Sequence, residues 1–345
     1  MILVKLGRLA CLALLAPLTC SWAVDSPRAH YKPLLKQPGR LVRAPVGSVL
    51  DDPIWVPALG RVVAKRDKGG DLWNQDVVEV DINRKRIKPL PLSKYIACPY
   101  TGFGWIGLGP HGSIAYTRTC YGTHRDPAKA VQLMRYDPIR KTNTRLVPYY
   151  LPWKVGPFAF SARGVGVIND GNGLYEHLAW IGARRLARLS LPFTRVGFPS
   201  WSPNGETIAV DAVPAAHSAA GIHRLGLVRN LYLLSRTGKL MRTVATGLRN
   251  AGRSAWSPDG QWLVLPLKPE VGPEGLWLIR VADGKRFLLL PGSQFGASVW
   301  MPDGKTLVTA VGIYSTLPGV EGDSRSSVGL EIISMPDLRT LGQTR

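Results

Sequence analysis

Trp256-Ser-Pro-Asp-Gly260 leads into the apolar run Trp262-Leu-Val-Leu265, and two close copies flank it. Trp201-Ser-Pro-Asn-Gly205 precedes Thr207-Ile-Ala-Val210, and Trp300-Met-Pro-Asp-Gly304 precedes Thr306-Leu-Val-Thr309. In such a stretch Pro presets φ at the second position of a turn, Asp or Asn is tolerated at the third, and Gly takes a left-handed fourth, so each copy predicts a tight hairpin. The Trp ahead of it is a bulky strand residue that needs a neighbouring sheet to cover it. The stretch therefore marks a repeat.

Upstream the repeat is worn. It reads Trp55-Val-Pro-Ala-Leu-Gly60 before Arg61-Val-Val-Ala64, then Gly107-Leu-Gly-Pro-His-Gly112 before Ser113-Ile-Ala-Tyr116, then Phe160-Ser-Ala-Arg-Gly164 before Val165-Gly-Val-Ile168. Taking Pro57, Pro110, Ala162, Pro203, Pro258 and Pro302 as equivalent gives spacings of 53, 52, 41, 55 and 44 residues, the range of propeller blades. Every unit holds a further apolar strand: Val77-Val-Glu-Val80, Leu133-Met-Arg-Tyr136, Leu178-Ala-Trp-Ile181, Leu231-Tyr-Leu-Leu234, Leu276-Trp-Leu-Ile279 and Leu330-Glu-Ile-Ile333. A turn and a fourth strand follow, as in Asp283-Gly-Lys285 and Phe287-Leu-Leu-Leu290. Six units of four strands predict an all-β chain, a six-bladed β-propeller of four-stranded antiparallel blades. A stacked solenoid is the alternative, and four antiparallel strands per unit favour radial closure over it. Gly 37, Pro 28 and Trp 11 with 19% charged residues suit this turn-rich, aromatic-packed reading.

These hairpins, with Leu231-Tyr-Leu-Leu234 and Thr237-Gly-Lys239 later in the unit, resemble the WD40-like (PD40) β-propeller repeat of the TolB family. The resemblance covers about residues 50 to 345 and is closest in the last three units. It implies the fold and leaves function open. The family's namesake carries an α/β domain ahead of its propeller, and about thirty mature residues precede the first blade here. No binding residue of the family aligns motif by motif.

The first residues read as a signal peptide: Lys5 and Arg8, then the apolar Leu9 to Leu18, then Ser21-Trp22-Ala23 with small residues where signal peptidase reads them. Cleavage is expected after Ala23. The apolar stretch is shorter than the ~20 residues of a spanning helix, which argues against a membrane anchor, and Pro17-Leu-Thr19 before Cys20 lacks a lipoprotein pattern. Nothing later is apolar enough to span a membrane. Residues 1–23 are thus the leader, 24–50 an arm in which Arg40-Leu-Val-Arg43 is a possible ring-closing strand, and 51–345 the propeller. The far end, Arg339-Thr-Leu-Gly-Gln-Thr-Arg345, competes for the closing role. Two cysteines remain after the leader, Cys98 and Cys120. In an exported chain they suggest one disulfide across the Pro110-His-Gly112 hairpin, with two free thiols as the alternative.

Removing Lys5 and Arg8 with the leader takes the formal net charge from +21 to +19. Such an excess is either a general basic bias or solubility device, or an attraction for acidic glycans, anionic lipid and phosphates, of which export makes nucleic acid the least accessible. In a four-stranded unit the first-to-second and third-to-fourth connections share one face. The third-to-fourth turns are basic throughout: Arg84, Lys85 and Arg86; Arg140 and Lys141; Arg184 and Arg185; Arg236 and Lys239; Lys285 and Arg286; Arg339. They form either a docking rim for an anionic envelope surface or a set of solvated turns. The opposite face takes the second-to-third loops, which vary most and carry the binding candidates. These are Trp73 in the first unit, His217 and His223 between Val213 and Arg229, and Tyr314, Asp323 and Arg325 between Ile313 and Ser327.

No reaction is specified. The histidines His111, His124, His177, His217 and His223 form no close pair of the kind zinc sites use, so no metal is expected. Asn169-Asp-Gly-Asn-Gly173 lacks the spaced carboxylates of a calcium loop and reads as a turn. Neither a Gly-x-Ser-x-Gly elbow nor a phosphate loop is present, and no cofactor is expected. The leading expectation is an exported, periplasmic binding or scaffold module with a protein partner in the envelope. The alternatives are a propeller lyase or hydrolase acting on an acidic oligosaccharide, and docking on an anionic surface through the basic rim.

Overall fold

The computed structural model describes residues 31–68, 75–92, 100–121, 131–152, 155–171, 177–215, 228–249, 251–314 and 325–341. The leader and its cleavage site lie outside them. Antiparallel strands follow one another along the chain. The first sheet is Val49–Val56, Arg61–Asp67, Gln75–Asp81 and Arg86–Pro89; the second is Tyr100–Leu108, Ile114–Tyr121, Val131–Asp137 and Thr142–Arg145. The third is Phe158–Phe160, Gly166–Asn169, Leu178–Ile181 and Leu186–Arg188.

The next eight-strand stretch of the repeat does not divide as expected, because two units fuse into one nine-stranded sheet. In the first half, Phe193–Thr194 and Ser200–Trp201 both pair with Thr207–Pro214, followed by Arg229–Ser235 and Leu240–Arg249. In the second half the order is Ala255–Trp256, Trp262–Pro269, Gly275–Arg280 and Arg286–Pro291. The halves are stitched where Leu248 and Arg249 pair with Pro269 and Lys268. Leu240–Arg249, at ten residues, is long enough to run past its own unit and reach its neighbour.

The last sheet joins the two ends of the chain. Phe295–Trp300, Thr306–Tyr314 and Arg325–Ser334 come from the C-terminal part, and Arg40–Arg43 pairs antiparallel with Arg325–Ser334 as the outermost strand. Among the described residues no fourth strand follows Ser334; Arg339 sits instead in the 3-10 turn Leu338–Thr340, which corrects its expected place in a strand connection. The seam is tight. A Cβ on Gly329, at φ +125°, would stand 2.0 Å from the Val42 carbonyl oxygen, so the strand fits only against glycine.

Packing follows from strands that bury both faces. Along Trp262-Leu-Val-Leu265, Leu263 and Leu265 pack toward Leu231 and Leu233 of the preceding unit, while Trp262 and Val264 pack toward Trp300 and Leu307 of the following one. Analogous apolar layers join the first sheet to the second through Ile54, Val63 and Tyr116, and the second to the third through Leu133 and Phe158. The third joins the nine-stranded sheet through Val167, Ile208 and Val210. The last layer, with Val42, Val308 and Leu330 against Leu50, Val62 and Val78, connects the final sheet back to the first. The series of sheets thus closes on itself, and burial of strand faces rather than a separate core holds it together.

The marker hairpins show why their sequence recurs. Ser257 N donates to the Trp262 carbonyl at 2.9 Å, Gly260 N to the Ser257 carbonyl at 2.9 Å, and Asp259 Oδ1 accepts from Gln261 N at 3.0 Å. Gly205, Gly260 and Gly304 have φ of +70°, +71° and +63°, where a side chain is costly.

Candidate functional site

The first strands of all the units converge, and residues from each line one cavity of about 340 Å³ at the hairpin end: Trp55, Leu108, Phe160, Trp201, Trp256 and Trp300. The marker tryptophans are therefore channel residues as well as packing residues. Trp256 Nε1 donates to the Ser200 carbonyl at 3.2 Å, and Trp300 Nε1 to the Ala255 carbonyl at 3.2 Å, so each indole bonds to the innermost strand of the preceding unit. Trp201, the preceding member of the series, has a buried Nε1 with no hydrogen-bond partner among the described residues.

A second cavity, of about 250 Å³, opens at the opposite end, where the second-to-third loops lie. It is lined by Asp51, Asp52, Trp105, Phe198, Arg253, Glu274 and Phe295 among others. Its key side chains share one position of the repeat. Asp52, Trp105, Phe198, Arg253 and Ala297 each stand three residues before Trp55, Leu108, Trp201, Trp256 and Trp300. The pairing registers slip between Asp51 and Ile54, between Phe103 and Ile106, and between Phe295 and Ser298. A bulge of this kind turns a side chain out of the ladder, and here it turns the residue into the channel. This column was absent from the sequence expectation. Aligning the units on their tryptophans and reading three positions back is the signal that finds it.

The charges at this mouth are internally matched. Lys65 Nζ lies 3.5 Å from Asp52 Oδ2, and Arg253 Nη1 lies 3.9 Å from Asp52 Oδ1 while donating to the Ile106 carbonyl at 3.2 Å. Asp52 is 3% exposed and adopts φ +50°, a left-handed backbone that a non-glycine residue rarely takes. Asp51 accepts the Asp52 N–H at 2.7 Å. Burial, and then repulsion from Asp52, push the Asp51 carboxyl above its ordinary value, against the pull of Lys65 and Arg253. Trp105 is fixed by Nε1 donating to the Val155 carbonyl at 3.2 Å and by edge-on contact with Phe198 at 5.5 Å. Phe198 is held in turn by its N–H on Asp211 Oδ1 at 2.9 Å, and Asp211 is paired with Arg229 at 2.7 Å.

Most loop-face candidates named from the sequence fall outside this picture. Trp73, His217, His223 and Asp323 lie outside the described residues. Tyr314 and Arg325, expected in a loop, are strand residues paired with each other, because the two strands continue through Gly312↔Ser327 after a bulge at Val311. Cys120 is in Ile114–Tyr121 opposite Thr101, and Cys98 lies outside the described residues.

Of the basic residues expected in the turns, Arg84, Lys85, Arg140, Lys141, Arg184, Arg185, Arg236, Lys239 and Lys285 are exposed in the connections, while Arg86, exposed, and Arg286, half-buried, open the strands that follow. Their face is that of the marker hairpins, as Glu206 of one hairpin pairs with both Arg163 of the preceding hairpin and Arg236 of a third-to-fourth turn. Lys85 and Lys141 have φ of +53° and +56°, where the equivalent turns of later units place Gly238 and Gly284. Among the described residues no three His, Cys, Asp or Glu side chains are grouped to hold a metal ion, and no helix is long and apolar enough to cross a membrane.

No family model and no curated protein matches the sequence. Solved structures do match in fold. A gluconolactonase from Xanthomonas campestris aligns with a TM-score of 0.54 at 13% identity, covering 86% of this chain and 89% of that one. TolB from Acinetobacter baumannii aligns at 0.52 and 13% identity; 82% of this chain is covered, and it spans 65% of the TolB chain. The β-propeller domain of Cps50 (Swd1) from Myceliophteria thermophila aligns at 0.51 and 10% identity, over 87% and 100% of the two chains. At these identities the likeness is one of fold: the chain is an all-β propeller.

Proposed function

We propose that this chain is an exported, periplasmic six-bladed propeller that serves as a binding module for a protein partner in the cell envelope. The two halves of the nine-stranded sheet count as separate blades in this reading, since each carries its own marker hairpin and its own apolar layer to either side. The observation that carries the functional reading is the tryptophan-walled mouth at the centre of the hairpin face, encircled by exposed basic turns. Apolar aromatic pockets inside a polar rim are where interface energy concentrates. The matching partner presents an apolar side chain to the mouth and acidic groups to Lys85, Lys141 and Arg185.

This reading moves the docking face from the variable loops to the hairpins. The test is affinity capture of the mature chain from its own envelope extract at low and high salt, beside a Lys85→Glu/Lys141→Glu variant and a Trp55→Ser variant. One discrete protein recovered by the wild type and lost by both variants supports the reading. Recovery unaffected by either substitution, or recovery of glycan or lipid alone, overturns it.

A further inference from the structure

We propose that the cavity at the loop-side mouth is a binding site for a neutral polyhydroxylated ring the size of one sugar residue. The proposal does not depend on the protein partner, which addresses the other end of the channel. At about 250 Å³ the cavity is smaller than the ~300–1,000 Å³ pockets of drug-sized ligands, so it admits a single ring.

Trp105 and Phe198 form its wall, and Arg253, which also lines the hairpin-side cavity, divides it from the rest of the channel. The Trp105 indole cannot swing away, because its N–H is committed to the Val155 carbonyl. An aromatic face of this kind accepts the C–H face of a sugar ring.

The polar groups select against other ligand classes. Asp51 and Asp52 are set against the cations Lys65 and Arg253, and Glu274, the third carboxyl of the lining, against Lys268 at 3.8 Å. An anion entering the site meets these carboxyls, and a cation must displace Lys65 or Arg253 from Asp52. An apolar group leaves the 3.9 Å gap between Arg253 Nη1 and Asp52 Oδ1 unbridged. A hydroxyl bridges that gap, donating to Asp52 Oδ1 while its own lone pairs accept from the Arg253 guanidinium. Asp51, its carboxyl pushed up by burial, adds an O–H donor whenever it is protonated. A ligand with several hydroxyls on a ring meets the charge-neutral cluster and the aromatic wall together.

The experiment is saturation-transfer NMR and titration calorimetry on the intact mature chain, with glucose, galactose and N-acetylglucosamine as probes and glucuronate as the anionic comparison. At least one neutral sugar is expected to bind with millimolar or tighter Kd. Trp105→Leu and Asp52→Asn should each weaken it by about tenfold, and Met241→Ser, on an exposed outer strand, should leave it unchanged. Since Asp52 also anchors Lys65, Arg253→Lys is the second polar variant and should weaken binding while keeping the charge. No transfer from any neutral sugar at about 10 mM overturns the proposal. So does equal affinity in the three site variants, or tighter binding of glucuronate than of every neutral probe.

Discussion

The unequal hydrogen bonding of the marker tryptophans makes a sharp test of how the blades are held together. Trp201 and Trp256 occupy the same repeat position and line the same cavity, so replacing either with Phe removes a similar slice of indole packing. They differ at one atom. Trp256 Nε1 donates to the Ser200 carbonyl at 3.2 Å, whereas Trp201 Nε1 is buried without a partner among the described residues. Trp256→Phe therefore loses a hydrogen bond with a net contribution of about 1 kcal/mol, and Trp201→Phe relieves a desolvated donor that costs about 1–3 kcal/mol. The shared packing loss cancels in the comparison, leaving Trp201→Phe the more stable variant by about 2–4 kcal/mol. Urea unfolding of both variants under identical conditions measures the gap directly. Equal stabilities, or a less stable Trp201→Phe, would refute the reasoning that the indole N–H bonds, and not the bulk of the rings alone, tie one inner strand to the next.

The closing seam gives a second expectation: deleting residues 24–45 removes Val42, fully buried against Val62 and Leu330, together with the outermost ladder of the last sheet. The loss should be a large part of the ~5–15 kcal/mol stability of a folded domain; unchanged thermal unfolding argues against a closing role for Arg40–Arg43. Gly329→Ala, which forces a Cβ against the Val42 carbonyl, should destabilise through the same seam, as read by its urea midpoint. Asp51 makes stability depend on pH. Its folded pKa is raised above the ordinary 3.8, so its favourable contribution is complete below that value and disappears as pH rises through the folded pKa. Asp51→Asn, which retains an oxygen for the Asp52 N–H, should gain on the wild type as pH climbs above 3.8; parallel pH profiles would count against it. Finally, Lys141→Gly relieves a left-handed backbone at φ +56° and should stabilise by about 0.5–1 kcal/mol after the entropy cost of glycine, unless unfolding midpoints show no gain.

The repeat was legible because turn chemistry is local. Ser257-Pro-Asp-Gly260 encodes its own hydrogen bonds within six residues, and the alternate burial of Trp262, Leu263, Val264 and Leu265 needs only strand periodicity and apolar neighbours. Most of the basic connections were legible for the same reason, since an exposed connection between two strands is marked by its length and composition; Arg339 was not, because the last unit takes its fourth strand from the other end of the chain. The candidate site was not. Asp52, Trp105, Phe198 and Arg253 are scattered over some two hundred residues and carry no shared chemistry, so no motif joins them. They meet because sheets packed face to face bring every innermost strand to one axis, where bulges turn Asp52 and Trp105 inward beside Phe198 and Arg253.

The closing partner of the last sheet was equally a matter of three dimensions. Arg40–Arg43 and the C-terminal residues were both plausible edge strands, and only the fit of Gly329 against Val42 selects the first. Local sequence thus settled the hairpins, the strand periods and the charge of the turns, because those depend on contacts within a few residues. Tertiary packing decided which units fuse, which end closes the last sheet and which side chains face the channel, because those depend on contacts between residues far apart in the chain.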